Sequence, residues 1–345
     1  MLNVSVIGSY PKYHKLLPKD FDPVWLTRPG ENLDRAWKNR EDLEPLFQEA
    51  IRWAVKEQAE AGIDIVTDGE QRRGNFVLYH CQHLAGFDFQ HMEKRHLRAG
   101  TRFEAVPVVT GPVRAKEHFL VDELRFTQSL TKKPVKVTMP GPLTIIDSVK
   151  DKHYGDEKKL AFALAEALNS EARALADAGC AVVQFDEPAF IREPEKFKTW
   201  GLDALKACIK GVGCATAVHI CRGYPAPGRD VKAHTRLYGD VLGALAKSGI
   251  SRICVEDSTE HLPLSIYGQF GSCGLELGLV NIGEHAVENP DAIAARVREV
   301  LKVIKPERLW LAPDCGLLLL PPAVAKAKLA ALVAASDLLK NEQQS

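Results

Sequence analysis

Short runs of β-branched and aliphatic residues alternate along this chain with longer stretches whose apolar positions recur every three or four residues. That alternation signals βα units and a parallel sheet. Eight runs read as strands: Asn3–Ile7, Ile63–Val66, Val135–Met139, Ala181–Phe185, Ala215–His219, Ile253–Val255, Leu275–Val280 and Leu309–Leu311. Helical patterns separate most of them. Leu46–Ala61 follows Pro45 and stops at Gly62, and Leu160–Ala178 carries Leu160, Leu164, Leu168 and Leu175 at helical spacing and stops at Gly179. Tyr238–Lys247, Pro290–Val303 and Ala323–Leu339 complete the set. The fold class is α/β, and eight strands with intervening helices predict one (β/α)8 barrel over residues 1–340, with 341–345 as a polar tail.

One stretch breaks the rhythm. Residues 90–130, between the second and third strands, hold short β-branched runs interrupted by Pro107 and Gly111-Pro112, together with Leu120–Phe126. These predict an inserted β-hairpin-like segment with edge strands, or an extended excursion over one barrel end. Arg95, Arg98, Arg102, Arg114 and Lys116 in or beside it would meet an anionic ligand or form a solvated face.

Composition narrows the possibilities. Lys plus Arg total 45 and Asp plus Glu total 45, so no net field draws the chain to nucleic acid or an anionic membrane. The segment Met1–Gly8 reads as a first strand and not as a signal peptide. No apolar run approaches the ~18 residues of a membrane span. Eight cysteines without a CxxC pair or secretion signal argue against a disulfide framework and for a reducing cytoplasm. Cys180, Cys208, Cys214 and Cys254 lie in apolar stretches and read as buried free thiols. Cys221 and Cys315 lie in polar, turn-forming sequence and read differently.

Barrel enzymes build their sites at the C-terminal ends of the strands. Here those ends carry Gly8-Ser9-Tyr10, Thr67-Asp68-Gly69-Glu70, Pro140-Gly141-Pro142, Asp186-Glu187-Pro188, His219-Ile220-Cys221, Glu256-Asp257 and Pro313-Asp314-Cys315-Gly316. A lone His-x-Cys is more often structural than ligating. Cys315 at another strand end shifts that balance, because thiolate plus imidazole ligation suits zinc, and Glu256 offers a fourth donor. Two thiolates and a carboxylate around Zn²⁺ leave a net charge of about −1, a poor Lewis acid toward water but a good holder of an incoming thiolate. Asp186-Glu187-Pro188 would cap the next helix or, with Glu70, face a substrate ammonium; Gly8-Ser9 would offer backbone N–H groups to a carboxylate.

Taken in order, these elements resemble the catalytic C-terminal barrel of cobalamin-independent methionine synthase, a TIM-barrel family, over nearly the whole chain. The resemblance implies methyl transfer to homocysteine on Zn²⁺ held by His219, Cys221, Glu256 and Cys315. It implies that Ser9, Glu70 and Asp186 hold the homocysteine backbone, the two acids facing its ammonium.

Three features depart from the family pattern. Nothing corresponds to the N-terminal barrel of the long synthases. The segment Gly141–Ser148 lacks the tryptophan that stacks on the pterin. Gly283 stands where the family has its general-acid histidine, with His285 two residues on as a substitute or a surface residue. All three concern the methyl donor, so the expected donor is methyltetrahydrofolate or another methyl carrier, a corrinoid methyl-carrier protein included. The alternatives are another zinc thiol alkyltransferase, of the coenzyme M or epoxide type, and a zinc-binding barrel without turnover.

Overall fold

The structure is a computed structural model that describes residues 2–26, 33–97, 102–223 and 238–342. Within them the strands, in chain order, are β1 (Asn3–Val4), β2 (Leu84–Leu97), β3 (Arg102–Ala115), β4 (Lys136–Pro140), β5 (Lys150–Asp151), β6 (Val182–Asp186), β7 (Ala215–Ile220), β8 (Arg252–Glu256), β9 (Gly274–Gly278) and β10 (Leu309–Ala312). Seven of these form one curled parallel sheet in the order β1-β10-β9-β8-β7-β6-β4.

The remaining predicted strand, Ile63–Val66, closes the ring in reduced form. It contributes one parallel bridge to each neighbour, Ser5 with Ile65 and Val66 with Val135. Asp64 N–H donates to the Val4 carbonyl at 2.9 Å, and Lys136 N–H donates to the Val66 carbonyl at 2.8 Å. The predicted barrel is therefore present, with one thin seam.

Side chains alternate across each strand, so residues i and i+2 share a face. One set packs outward against the helices: Val183, Phe185, Val218, Ile220, Ile253 and Val255 belong to the main core cluster. The other set points into the barrel, where Ile7, Ile65, Val182, Ala217, Cys254 and Ala312 form a second, small cluster. Beside it lies a buried ion pair, Lys136 Nζ to Glu276 Oε1 at 2.5 Å, with Lys136 also donating to the Val6 carbonyl and to Gln184. Continuing the inward set toward the C-terminal ends of β6, β7 and β8 leads to Asp186, His219 and Glu256. Strand periodicity alone delivers those three to one end of the barrel.

The helices run Leu43–Glu60, Glu157–Asp177, Tyr238–Leu245, Pro290–Val300 and Pro322–Glu342, each within a few residues of the expected span. Gly62 and Gly179 stand just past two of them at φ 91° and 83°, left-handed values that glycine adopts without strain. The last helix continues through Glu342, so Asn341 and Glu342 are helical and not tail; 343–345 lie outside the described residues.

The insertion is larger and more regular than its sequence suggests. β2 and β3 form a long antiparallel hairpin, irregular between Ala85 and Phe87 and between Asp88 and Glu93, and β5 adds a short parallel strand. Leu120–Phe126, grouped above with the β-branched runs, lies instead in the helix Phe119–Ser129, whose face of Leu120, Val121, Leu124 and Thr127 is buried. Leu, Glu and Arg favour a helix there, and the helical spacing of the apolar residues gives one continuous stripe to bury. Arg95 is half-buried and donates to the carbonyls of Ile146 and Val149, which ties the hairpin to the helix Pro142–Asp147. Arg98 lies outside the described residues.

Candidate active site

At the C-terminal end of the barrel lies a cavity of about 200 Å³. Seven of the nine sequence-predicted site residues line it: Gly8, Ser9, Glu70, Asp186, His219, Cys221 and Cys315. The imidazole and the two thiols form one buried group whose ligand atoms all lie within 4.8 Å of one another. His219 ends the inward row of β7, Cys221 follows two residues on, and Cys315 comes from the turn after β10.

The electrostatics of that group show three donors crowded together. Both ring nitrogens of His219 are buried and have no nitrogen or oxygen partner. Burial would lower its pKa, but Cys221, Asp186 and Glu256 outweigh this and raise it to about 8. The hydrogen bond from Cys315 pulls the Cys221 thiol well below its ordinary value, and the same bond, with burial, pushes Cys315 well above. Orphaned imidazole nitrogens beside a shared thiol proton are what a soft-ligand metal site looks like before the ion is counted. The donor set fits zinc.

Glu256 stands beside this group and not within it. Its Oε2 accepts from Arg222 Nε at 2.9 Å, while Arg222 also reaches Glu260 and Thr259. Its charge still raises the pKa values of His219 and Cys315, so it lies within electrostatic reach of both. Asp314 secures the turn that carries Cys315: it accepts from Ser258 Oγ at 2.5 Å and from the backbone N–H groups of Asp257 and Ser258. The loops after β8 and β10 are thereby tied together. Asp257, expected near the site, is structural, clamped by Arg296 at 2.6 and 2.9 Å and by the Tyr267 hydroxyl at 2.8 Å.

Across the cavity, Glu70 and Asp186 form an acidic wall. Burial is the main cause that raises both, Asp186 to about 7, with His219 opposing Asp186's shift and the like charge of Glu70 reinforcing it. Glu70 sits at φ 55°, a left-handed conformation uncommon outside glycine. Its Oε1 accepts from the Thr138 hydroxyl at 2.7 Å, and that hydroxyl accepts in turn from Arg73 at 2.8 Å. Gln184, two residues before Asp186 on the same inward face, donates to it at 2.9 Å. Close approach fixes the glycines here. A Cβ on Gly8 would fall 2.4 Å from Glu70 Oε1, and one on Gly316 would fall 2.0 Å from Ser9 Oγ.

Fold and chemistry together match known proteins. Residues 2–338 fit the family model described as cobalamin-independent synthase, catalytic domain. The chain belongs to the cobalamin-independent methionine synthase family. It is 32% identical to the methionine synthase of Sulfolobus acidocaldarius, over 99% of this chain and 93% of that protein. It is 30% identical to that of Saccharolobus solfataricus, over 99% and 96%. Among solved structures, a B12-independent methionine synthase from Shewanella sp. W3-18-1, in complex with selenomethionine, superposes with a TM-score of 0.87 at 33% identity and covers 100% of this chain and 99% of that one. A methyltransferase from Methanosarcina mazei shares the fold at a TM-score of 0.59 and 17% identity. Family membership makes this methionine synthase relative a methyltransferase with a TIM-barrel fold.

Two expected site residues fall outside the cavity lining: Glu256, as described, and His285, which is exposed. The acidic tripeptide after β6 divides its labour. Asp186 lines the cavity, whereas Glu187 caps the helix Pro142–Asp147 from a neighbouring loop, accepting from the N–H groups of Leu143 and Thr144 at 3.0 and 2.9 Å. Thr138, Gln184 and Arg222, which hold the three acids, went unremarked in the sequence. A period-2 reading back from Asp186 would have found Gln184. Arg222 simply adjoins Cys221. Phe76 and Arg192, also lining the cavity, had no signal beyond their residue type.

Proposed function

We propose that this protein is a zinc-dependent methionine synthase that transfers a methyl group to the sulfur of homocysteine, with His219, Cys221 and Cys315 as metal ligands and Glu256 as the exchangeable fourth. One observation carries the reading: the buried imidazole–dithiol group and the acidic pair Glu70 and Asp186 open into the same cavity. When bound there, zinc supplies the positive charge that brings an incoming thiol below its ordinary pKa of ~8.5 while leaving the sulfur nucleophilic.

The chain's own residues do the rest. Glu70 and Asp186 receive the ammonium of homocysteine, and its arrival favours the charged forms that burial now disfavours. Ser9, between Gly8 and the closely packed Gly316, presents backbone to the substrate carboxylate. Arg222 holds Glu256 aside from the thiols, which leaves room for the substrate sulfur. Leu26, Phe76, Leu97 and Leu318 give the cavity an apolar wall that excludes water from the attacking sulfur, so proximity and desolvation favour alkylation over hydrolysis. Selenomethionine in the Shewanella relative is a product-shaped ligand, which supports an amino-acid pocket here. The exposure of His285 weighs against it as general acid.

Rescue of a methionine auxotroph by this chain, lost in Cys315→Ala together with stoichiometric zinc, tests the reading. Normal rescue by the alanine variant defeats it. Single-turnover methylation of homocysteine by methyltetrahydrofolate and by methylcobalamin, run side by side, assigns the donor. Methionine from either supports S-methyl transfer; growth rescue with turnover from neither points to another methyl carrier.

A further inference from the structure

Among the described residues lining the cavity, Arg192 is the one Lys or Arg. It ends the short helix Ala189–Arg192, beyond β6. Its side chain is only 15% exposed, and its Nε is buried with no hydrogen-bond partner. The nearest acid, Asp147, stands with Oδ2 3.6 Å from Nη2, an ion pair too long for a hydrogen bond. On its other flank, Nη1 is 4.0 Å from where a Gly223 Cβ would sit, two residues past Cys221. A guanidinium has five N–H donors in a planar fork. Here it is held in a cavity wall, largely desolvated, with no described hydrogen bond to a protein acceptor.

The placement separates Arg192 from the proposed carboxylate end of the amino acid. Gly8, Ser9 and Gly316 follow β1 and β10, neighbours in the sheet, whereas Arg192, Asp147, Ser148 and Gly223 follow β6, β4 and β7, also neighbours. The sulfur-binding group faces both arcs. Asp186, at the end of β6, marks where the ammonium sits, and Arg192, Asp147 and Ser148 lie beyond it on the side away from Gly8, Ser9 and Gly316, the side left for a second substrate on that reading. Resting on the methyl-transfer reading above, we propose that Arg192 anchors the methyl donor through an oxyanion, a carboxylate or a phosphate group, received by its fork. Both have paired oxygens that match guanidinium geometry, and a cation of this kind positions a ligand without touching the reacting carbon. Asp147 acts as a counter-charge that keeps the fork oriented while no ligand is bound, and it opposes anion binding.

The test uses zinc-loaded enzyme with saturating homocysteine and two probes, para-aminobenzoylglutamate for the carboxylate and inorganic phosphate, titrated calorimetrically. Wild type binds one of them, and which one identifies the oxyanion. Arg192→Gln weakens that binding by about tenfold or more, the loss expected for a charge-assisted pair. Arg192→Lys restores part of it, and Asp147→Asn tightens it, a gain that a purely structural arginine would not show. Homocysteine affinity stays within about twofold throughout. Three results overturn the proposal: neither probe binds wild type up to about 10 mM, Arg192→Gln binds them unchanged, or Arg192→Gln weakens homocysteine in place of the anion. Failure of the methyl-transfer reading is distinguishable, because then homocysteine itself would not bind the wild-type zinc enzyme, whatever the probes do.

Discussion

Thr138→Val isolates the contribution of one hydroxyl to amino-acid binding. The side chain is buried, keeps its shape as valine, and loses an oxygen that donates to Glu70 at 2.7 Å and accepts from Arg73 at 2.8 Å. Both bonds involve a charged partner, and such bonds contribute about 1.5–3 kcal/mol each. Arg73 remains 3.5 Å from Glu70 Oε1, which retains part of the attraction. The expected stability loss is therefore about 2–4 kcal/mol, read by urea denaturation. The functional loss is more specific. Without the hydroxyl, burial raises the Glu70 carboxyl further and its orientation loosens, so the ammonium of homocysteine loses roughly one charge-assisted bond. That weakens homocysteine about 10- to 30-fold, measured calorimetrically on the zinc enzyme. The deamino analogue 4-mercaptobutanoate carries the same thiol and carboxylate and no ammonium, so its affinity stays unchanged. Equal losses for both thiols, or no loss for homocysteine despite reduced stability, would refute the assignment of Glu70 to the ammonium.

Four further outcomes follow from the same geometry. Gly316→Ala drives a Cβ into Ser9 Oγ, and should raise the KM for homocysteine about tenfold or more at unchanged zinc content; an unchanged KM would show that Ser9 does not border the amino acid. Asp314→Asn weakens the tie between the loops after β8 and β10 and should lower zinc affinity about 10- to 100-fold, read by competition with a chromophoric chelator. Lys136→Met strands the buried Glu276 carboxylate and should cost about 3–5 kcal/mol, whereas Lys136→Met with Glu276→Leu recovers most of it; equal destabilisation of both variants would mean that cavity effects dominate. Lys12, which donates to the Glu70 and Gln71 carbonyls, is held by burial at about 8 against 10.5 in the unfolded chain. Between those values the unfolded state holds the extra proton, so stability rises with pH, by up to about 3 kcal/mol over the window. The wild-type-minus-Lys12→Met difference in urea stability should show that rise above pH 8 and be flat below it.

The barrel was legible because its strands are short β-branched runs closed by glycine-terminated helices, a pattern that depends on burial alone. Three of the candidate site residues were legible because Asp186, His219 and Glu256 lie on the inward face at strand ends, so sequence position fixes direction. Two things were not. Leu120–Phe126 follows directly on the β-branched runs of the insertion, and the helical spacing of Leu120, Leu124 and Thr127 separates it from them only once the hairpin's end is known. The partners of the acids come from elsewhere in the chain: Thr138 meets Glu70 across 68 positions, and Arg222 meets Glu256 across 34. Such pairings are set by barrel closure and leave no local signature. The split between Asp186 and Glu187 is of the same kind, since adjacent residues point to opposite sides and only one side is the cavity.

The seam at Ile63–Val66 gives the barrel uneven stiffness. The strands bearing His219, Glu256 and Asp186 are laddered on both sides over four or five residues, whereas the segment leading to Glu70 has one bridge to each neighbour. Local opening follows the density of backbone pairing. Amide exchange should therefore be fastest along this arc, with His219 and Cys221 on the slow-exchanging side. On the proposed reading, an enzyme built this way keeps its nucleophile-activating ligands fixed and places the compliance under the amino-acid clamp. Substrate can then enter and product leave by flexing one staple of the barrel, without disturbing the ligands on which the chemistry depends.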